Sequence, residues 1–292
     1  MRAALPGRRH HAAALRAPRD RHRPLHALRR VPRALSGGRH RDRLAAGGAG
    51  HPSAAARSDR AQGARVPRVI VDDIAVDVAP GSNLLAAVRK AGHDIPALCY
   101  HPGCTPNTSC MTCVVRVVET GRVVPACATP AEDGQRIESE TDEIRALRRT
   151  ALELLLSEHA TACGLRGDGP CDCGKEEVCR LRKYALAYGA NPRRFAATPR
   201  PSAPQHDHPE ITFDPGKCIL CGICVQLAEQ AGESLGLTVV GRGSDTRIAV
   251  PFEESVAAAL TRGGRRIAGA CPTGALTPRR PPVRYPREGA PE

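Results

Sequence analysis

The chain has no tryptophan, three phenylalanines and four tyrosines in 292 residues. Large aromatic anchors are therefore scarce, and metal centres can stand in for missing core, because ligand binding energy doubles as folding energy. No apolar run approaches 18 residues, so nothing reads as a transmembrane helix. No apolar h-region follows Met1, which argues against a secretory signal and with it a disulfide-stapled secreted scaffold. No G-x-G-x-x-G follows a strand pattern, so no nucleotide-binding loop is legible. The expected compartment is the cytoplasm, with peripheral association at a membrane complex left open.

Lysine is missing from the first 68 residues, which carry 17 Arg against three Asp. The other 224 residues hold 26 Lys and Arg against 27 Asp and Glu, so nearly all of the formal +13 charge sits in the leading segment. Residues 1–65 show no apolar periodicity and read as a disordered Arg/Ala-rich leader. Three readings of it stay open: a basic tail for nucleic acid or anionic lipid, a transit peptide, or a start site placed too early. No nucleic-acid partner is expected, since neither a binding fold nor an aromatic platform accompanies the charge.

What the chain has is cysteine, 13 in all, mostly in tight groups. Cys99, Cys110, Cys113 and Cys127 are spaced C-x10-C-x2-C-x13-C. Iron–sulfur clusters need several thiolates around one small inorganic core, and a two-residue gap in a turn aims neighbouring sulfurs at one centre. Cys104 tempts toward a plant-type C-x4-C-x2-C reading, but the cysteine after it lies six positions on, so Cys104 falls out of the set. A second group comprises His159, Cys163, Cys171, Cys173 and Cys179. In a third, "CILCGIC" supplies Cys218, Cys221 and Cys224, and the remote Cys271-Pro272 completes the pattern of one cubane. Zinc is the competing reading for any four-cysteine set.

The pattern between these groups predicts an α+β chain. "RVIVDDIAVDV" reads as a hairpin turning at Asp72-Asp73, and "PGSNLLAAVRKAG" as a helix capped by Ser82 or Asn83 and stopped at Gly92. "CVVRVVETGRVVPAC" reads as a second hairpin turning at Thr120-Gly121. Strand, strand, helix, cysteine loop and hairpin is the order of a ferredoxin-type β-grasp. The longest helical pattern, "TDEIRALRRTALELLLSEH", places Ile144, Leu147, Ala151, Leu154 and Leu155 as its apolar positions, with His159 at its end. The expected organisation is a leader over 1–65, a β-grasp domain over 66–142, a helical His/Cys cluster segment over 143–195 and a Pro-rich linker over 196–210. A small ferredoxin-like module over 211–280 and a loose tail over 281–292 complete it.

"IPALCYHPG", "SCMTCVVRV" and "VPACATP" resemble the N-terminal [2Fe-2S] domain of the large iron–sulfur subunit of respiratory NADH dehydrogenase. The same domain occurs in the diaphorase iron–sulfur subunit of NAD-linked bidirectional hydrogenases and in NAD-dependent formate dehydrogenases. The resemblance covers about residues 66–280 and implies Cys99, Cys110, Cys113 and Cys127 as [2Fe-2S] ligands. Relatives carry H-x3-C-x2-C-x5-C for a [4Fe-4S] cluster held by one His and three Cys. Here the middle step is stretched by the insertion "GLRGDGP", so the resemblance implies His159, Cys163, Cys173 and Cys179, with Cys171 as a rival ligand. It implies Cys218, Cys221, Cys224 and Cys271 for a further [4Fe-4S] cluster. A neutral imidazole in place of a thiolate leaves less negative charge on a cluster and eases its reduction.

The cofactors implied are one [2Fe-2S] and one or two [4Fe-4S] clusters. The function implied is an electron-transfer subunit without a substrate-converting site. Its implied partners are a flavoprotein subunit that oxidises NAD(P)H and a hydrogenase, formate dehydrogenase or quinone-reducing module. Respiratory relatives continue into a large molybdopterin-type domain, and this chain stops before it, closer to the compact hydrogenase subunit. Rival functions are a zinc-stabilised scaffold with a nucleic-acid-binding leader and a ferredoxin-like component of an oxygenase.

Overall fold

The computed structural model describes residues 65–159 and 179–279, all within one compact unit, Ala54–Glu292. The leader and the tail beyond Arg279 lie outside the described residues, as does the stretch holding Cys163, Cys171 and Cys173.

The first domain is built from two hairpins and a late strand. β1 (Arg68–Val71) and β2 (Ile74–Asp77) pair antiparallel in register Val71↔Ile74, leaving a two-residue turn. Asp72 and Asp73 both take left-handed φ, 46° and 66°, which matches the twist of the flanking strands and suits the short polar side chain of Asp. α1 (Leu84–Lys90) starts at Asn83, whose side chain accepts from the Ala86 N–H, and it buries Leu84, Leu85, Ala87 and Val88. Gly92, at φ 93°, ends the turn that follows.

β3 (Val114–Val117) pairs antiparallel with β4 (Val123–Pro125) around a loop that holds Gly121 at φ 66°. β5 (Arg136–Glu138) then slots between the hairpins, parallel to β1 and antiparallel to β3, giving the order β2-β1-β5-β3-β4. Apolar residues from the strands, α1 and the loop after it close a core of Val69, Val71, Leu84, Leu85, Val88, Ile95, Val115 and Ile137. Each fully buried Leu, Ile or Val there contributes about 1.5–3 kcal/mol.

α2 (Asp142–Ser157) is capped by Thr141, which accepts from the Ile144 N–H, and it carries Asp142 and Glu143 in its first turn. Its buried face differs from the sequence expectation. Ile144, Arg148, Leu152 and Leu156 face inward, whereas Leu147 is 42% and Leu154 51% exposed. The helix is turned so that the i, i+4 row through Arg148 meets β3, because the guanidinium finds acceptors there (below). α3 (Arg180–Ala187) packs on α2 and buries Leu181, Tyr184 and Ala185. Lys183 and Tyr184 both reach Asp94 of the first domain, at 2.6 and 2.8 Å.

The last module joins β6 (Ile211–Phe213) antiparallel to β9 (Leu276–Pro278), so its two ends pair with each other. Between them stand α4 (Ile223–Gln230), the hairpin of β7 (Thr238–Val240) and β8 (Arg247–Ala249), α5 (Val256–Ala259) and α6 (Gly264–Ala270). α4 and α6 pack together, and α6 lies on β9. A second core runs without interruption from Leu98, Cys99 and Cys110 through Leu152, Leu156 and Leu181 to Ile223, Leu227 and Ile267.

Candidate metal centres

Cys99 and Cys110 belong to the second core, and Cys113 and Cys127 to the β-grasp core, so the four thiols straddle the seam between the two. All four are at most 4% exposed and none is in a disulfide. Cys99 is within hydrogen-bonding reach of Cys110 and Cys127, and Cys113 of Cys127. The loop before Cys113 is shaped by Met111 at φ 50°, a left-handed conformation that costs a bulky residue about 1–2 kcal/mol. Such turns aim successive N–H groups inward, in the manner of the anion-binding nests found at phosphate and iron–sulfur sites. The Cys110 N–H is directed at Cys99, the Thr112 N–H at Cys110 and the Cys127 N–H at Cys113. Ser109 also bonds Cys99, and the Thr112 hydroxyl lies 3.2 Å from the Cys110 sulfur.

Hydrogen bonds among these thiols act on their ionisation in opposite directions. The hydrogen bond from Cys110, then that from Cys127, pulls the Cys99 thiol below its ordinary range, and the bond from Cys127 does the same for Cys113. Cys110 and Cys127 move the opposite way, first by donating to those neighbours and then by burial. Four closely spaced thiols cannot all ionise unaided, and a positively charged inorganic core is what relieves that conflict.

In the last module, Cys218 and Cys221 flank Leu220, left-handed at φ 56°, and Gly222 follows at φ 73° as N-cap of α4. The nest is repeated here: the Leu220 N–H donates to the Cys218 sulfur at 3.3 Å, and the Ile223 and Val225 N–H groups serve Cys221 and Cys224. Cys271 caps the end of α6 and interacts electrostatically with Cys218, Cys221 and Cys224. Burial pushes the Cys218 thiol up to about 11 and raises those of Cys221 and Cys224 well above their ordinary range. Among the described residues, no three His, Cys, Asp or Glu side chains converge on a point for one metal ion. The donor chemistry of the first group, four buried thiols with backbone N–H groups aimed at their sulfurs, is of the kind that suits an iron–sulfur centre.

His159 and Cys179 are both 1% exposed, at the end of α2 and the start of α3, and the Cys179 sulfur accepts from the Arg182 N–H at 3.4 Å. Their companions Cys163, Cys171 and Cys173 lie outside the described residues. Cys104 stands apart from the four thiols, beside Gln230 and Arg266.

The two complete thiol groups are neighbours. Cys99 is close enough to Cys221 to interact electrostatically, and a cavity of about 270 Å³ lined by Leu154, Leu155, Arg200 and Leu220 separates Cys110 from Cys218. The loop between Cys99 and Cys110 is strapped to α4. Gln226 bonds both the N–H and the carbonyl of Thr105, at 2.8 and 3.0 Å. Gln230 reaches Gly103 at 2.8 Å, and the Asn107 amide reaches the Cys221 carbonyl at 3.3 Å. Nothing in the sequence marked these contacts, which join residues more than 110 positions apart. Gln226→Ala is expected to speed hydrogen exchange of the Thr105 amide about fivefold, for a bond worth ~1 kcal/mol. Unchanged exchange would show that the strap holds without it.

Comparison with known proteins agrees with this geometry. A family model described as a 2Fe-2S iron-sulfur cluster binding domain matches residues 65–142. An NADH-quinone oxidoreductase subunit of Rhizobium meliloti (strain 1021) is 34% identical over 211 residues, which are 72% of this chain and 24% of that protein. The mitochondrial iron-sulfur protein 1 of NADH dehydrogenase [ubiquinone] from Solanum tuberosum is 31% identical over 78% of this chain and 29% of its own length. The chain thus spans only 24–29% of the length of these curated relatives. A chain in the crystal structure of NAD+-reducing [NiFe]-hydrogenase in the H2-reduced state superposes with a TM-score of 0.64 at 30% identity. That match covers 75% of this chain and 90% of the hydrogenase chain. The chain belongs to the family of iron–sulfur subunits shared by NADH-quinone oxidoreductase, mitochondrial NADH dehydrogenase and NAD+-reducing [NiFe]-hydrogenase.

Proposed function

We propose that this chain relays single electrons from a flavoprotein that oxidises NAD(P)H toward a hydrogenase, a formate dehydrogenase or a quinone-reducing module. The observation that carries the reading is the adjacency of the two thiol groups, which meet in the core shared by Cys99, Cys110, Cys221 and Cys224 and are strapped together by the 103–107 loop. Cys99, Cys110, Cys113 and Cys127 would hold a [2Fe-2S] cluster, and Cys218, Cys221, Cys224 and Cys271 a [4Fe-4S] cluster. His159, Cys163, Cys173 and Cys179 would hold a second [4Fe-4S] cluster, with Cys171 the rival for the place of Cys163 or Cys173. When bound, such clusters accept and release one electron at a time, so the hydride pair must be split by the flavin of the partner.

The protein's own part is positional and electrostatic. Its thiols anchor, its inward N–H groups offset sulfur charge, and its two cores exclude water from Cys99, Cys110, Cys113 and Cys127. No helix among the described residues is long and apolar enough to cross a membrane.

The test is EPR of the anaerobically purified, reduced protein beside His159→Ala and Cys171→Ala. One [2Fe-2S] and up to two [4Fe-4S] signals are expected, with one four-iron signal altered by His159→Ala and none by Cys171→Ala. Colourless protein containing zinc would overturn the reading. An unaltered spectrum for His159→Ala would remove the His-ligated cluster from it.

A further inference from the structure

Arg148 is the largest fully buried side chain of the described residues, and nothing in the binding of metal by cysteine calls for it. Burying a guanidinium costs several kcal/mol unless every donor is met. Here all five N–H groups are used. Nε and Nη2 both donate to the Val114 carbonyl, at 3.0 and 2.8 Å, and Nη2 also donates to the Ser139 hydroxyl at 3.0 Å. Nη1 donates to Glu140 at 2.9 Å and to the Tyr188 hydroxyl at 3.2 Å.

The counter-charge is incomplete. Glu140 is shared with Arg145, which pairs with its other oxygen and lies 4.9 Å above the Tyr188 ring. Two guanidiniums on one carboxylate leave a net positive charge. Arg145 and Glu140 are partly exposed, at 43% and 28%, so solvent screens them, whereas Arg148 at 0% keeps its field. The end of that field is Val114, the residue after Cys113, and the Cys113 sulfur feels it electrostatically.

We propose that Arg148 is a positioning residue that sets the reduction potential of the centre held by Cys99, Cys110, Cys113 and Cys127, by holding a fixed positive charge against the Cys113–Val114 backbone. The inference rests on the [2Fe-2S] reading of those cysteines. Adding an electron to a centre beside a fixed cation is favoured, so the charge raises the potential, and Glu140 moderates it.

Redox titration of the full chain, followed by the EPR signal of the two-iron centre, tests this with variants of opposite sign. Arg148→Met should lower the one-electron reduction equilibrium at least tenfold, a shift of about 59 mV to more negative potential. Arg148→Lys keeps the charge and should stay closer to wild type than Arg148→Met. Glu140→Gln removes the moderating anion and should shift the potential upward. Because Glu140 is partly exposed, that variant carries the test even where Arg148→Met fails to fold. A purely structural role predicts lost signal or lowered Tm with no reversal of sign. Intact two-iron spectra with unmoved potentials in Arg148→Met and Glu140→Gln would overturn the proposal and leave the ligand assignment standing. A wild-type chain with no two-iron spectrum would sink both.

Discussion

Cys127→Ala is expected to strip the chain of its two-iron signal and to lower iron and sulfide content together, while the four-iron signals persist. The sulfur lies between Cys99 and Cys113, and it is the one thiol hydrogen-bonded to both. Its carbonyl accepts from the Asn83 amide, and the Asn83 oxygen caps α1, so the ligand is locked to the helix that fills the β-grasp core. Without it, three buried thiols remain with no charge-balanced way to hold a core. An ordinary substitution costs about 0.5–3 kcal/mol, and a loss above about 4 kcal/mol is confined to a short list of causes that includes loss of a bound metal. Chemical denaturation of the anaerobic protein should therefore show a loss in that upper range. Cys104→Ala is the control, since Cys104 lies beside Gln230 and away from the four thiols. A two-iron spectrum that survives Cys127→Ala but disappears in Cys104→Ala would reverse the assignment.

Cys224→Ala should have an effect of similar size on the last module. Its strands β6, β7, β8 and β9 are three residues each, too short to hold a sheet by themselves. Cys224 lies in the first turn of α4, in the core that also holds Leu227 and Ile267, and burial pushes its thiol well above the ordinary range. Ionising such a group requires a metal to supply the missing favourable charge, so binding and folding of this segment are one process. The expected result is loss of one four-iron signal together with rapid proteolysis between residues 211 and 279. The two-iron signal should persist in altered form, because Cys113 and Cys127 sit in the β-grasp core while Cys99 and Cys110 share the core that holds Cys224. Retained protease resistance in colourless protein would mean that the module folds without its centre.

Much of the first domain was legible because its signals are local. The Asp72-Asp73 turn, the Asn83 cap and the Gly92 stop depend on residues within one turn of each other, where backbone sterics and a single hydrogen bond decide the outcome. β5 was not legible: Arg136, Ile137 and Glu138 are too few for a period, and their strand exists because two hairpins leave a slot between them. The rotation of α2 was half legible. Leu147 and Leu154 look like core in a linear pattern, yet Ile144, Arg148, Leu152 and Leu156 form an equally regular row of four-residue steps. An arginine in that row invites its rejection. What overrides the invitation is the Val114 carbonyl, contributed by a strand 34 residues away.

The cysteine spacing by itself kept Cys110 with Cys113, and Cys218 with Cys221 and Cys224, since a two-residue gap within a turn holds neighbouring sulfurs together. Only the tertiary structure decided that the Cys99 and Cys218 groups are neighbours, that their loops are tied through Thr105, Asn107, Gln226 and Gln230, and that a buried cation stands behind Cys113. The physical reason is range. Turn geometry and capping are settled over a few bonds, whereas the distance between two centres and the charge around them depend on how separately formed elements pack.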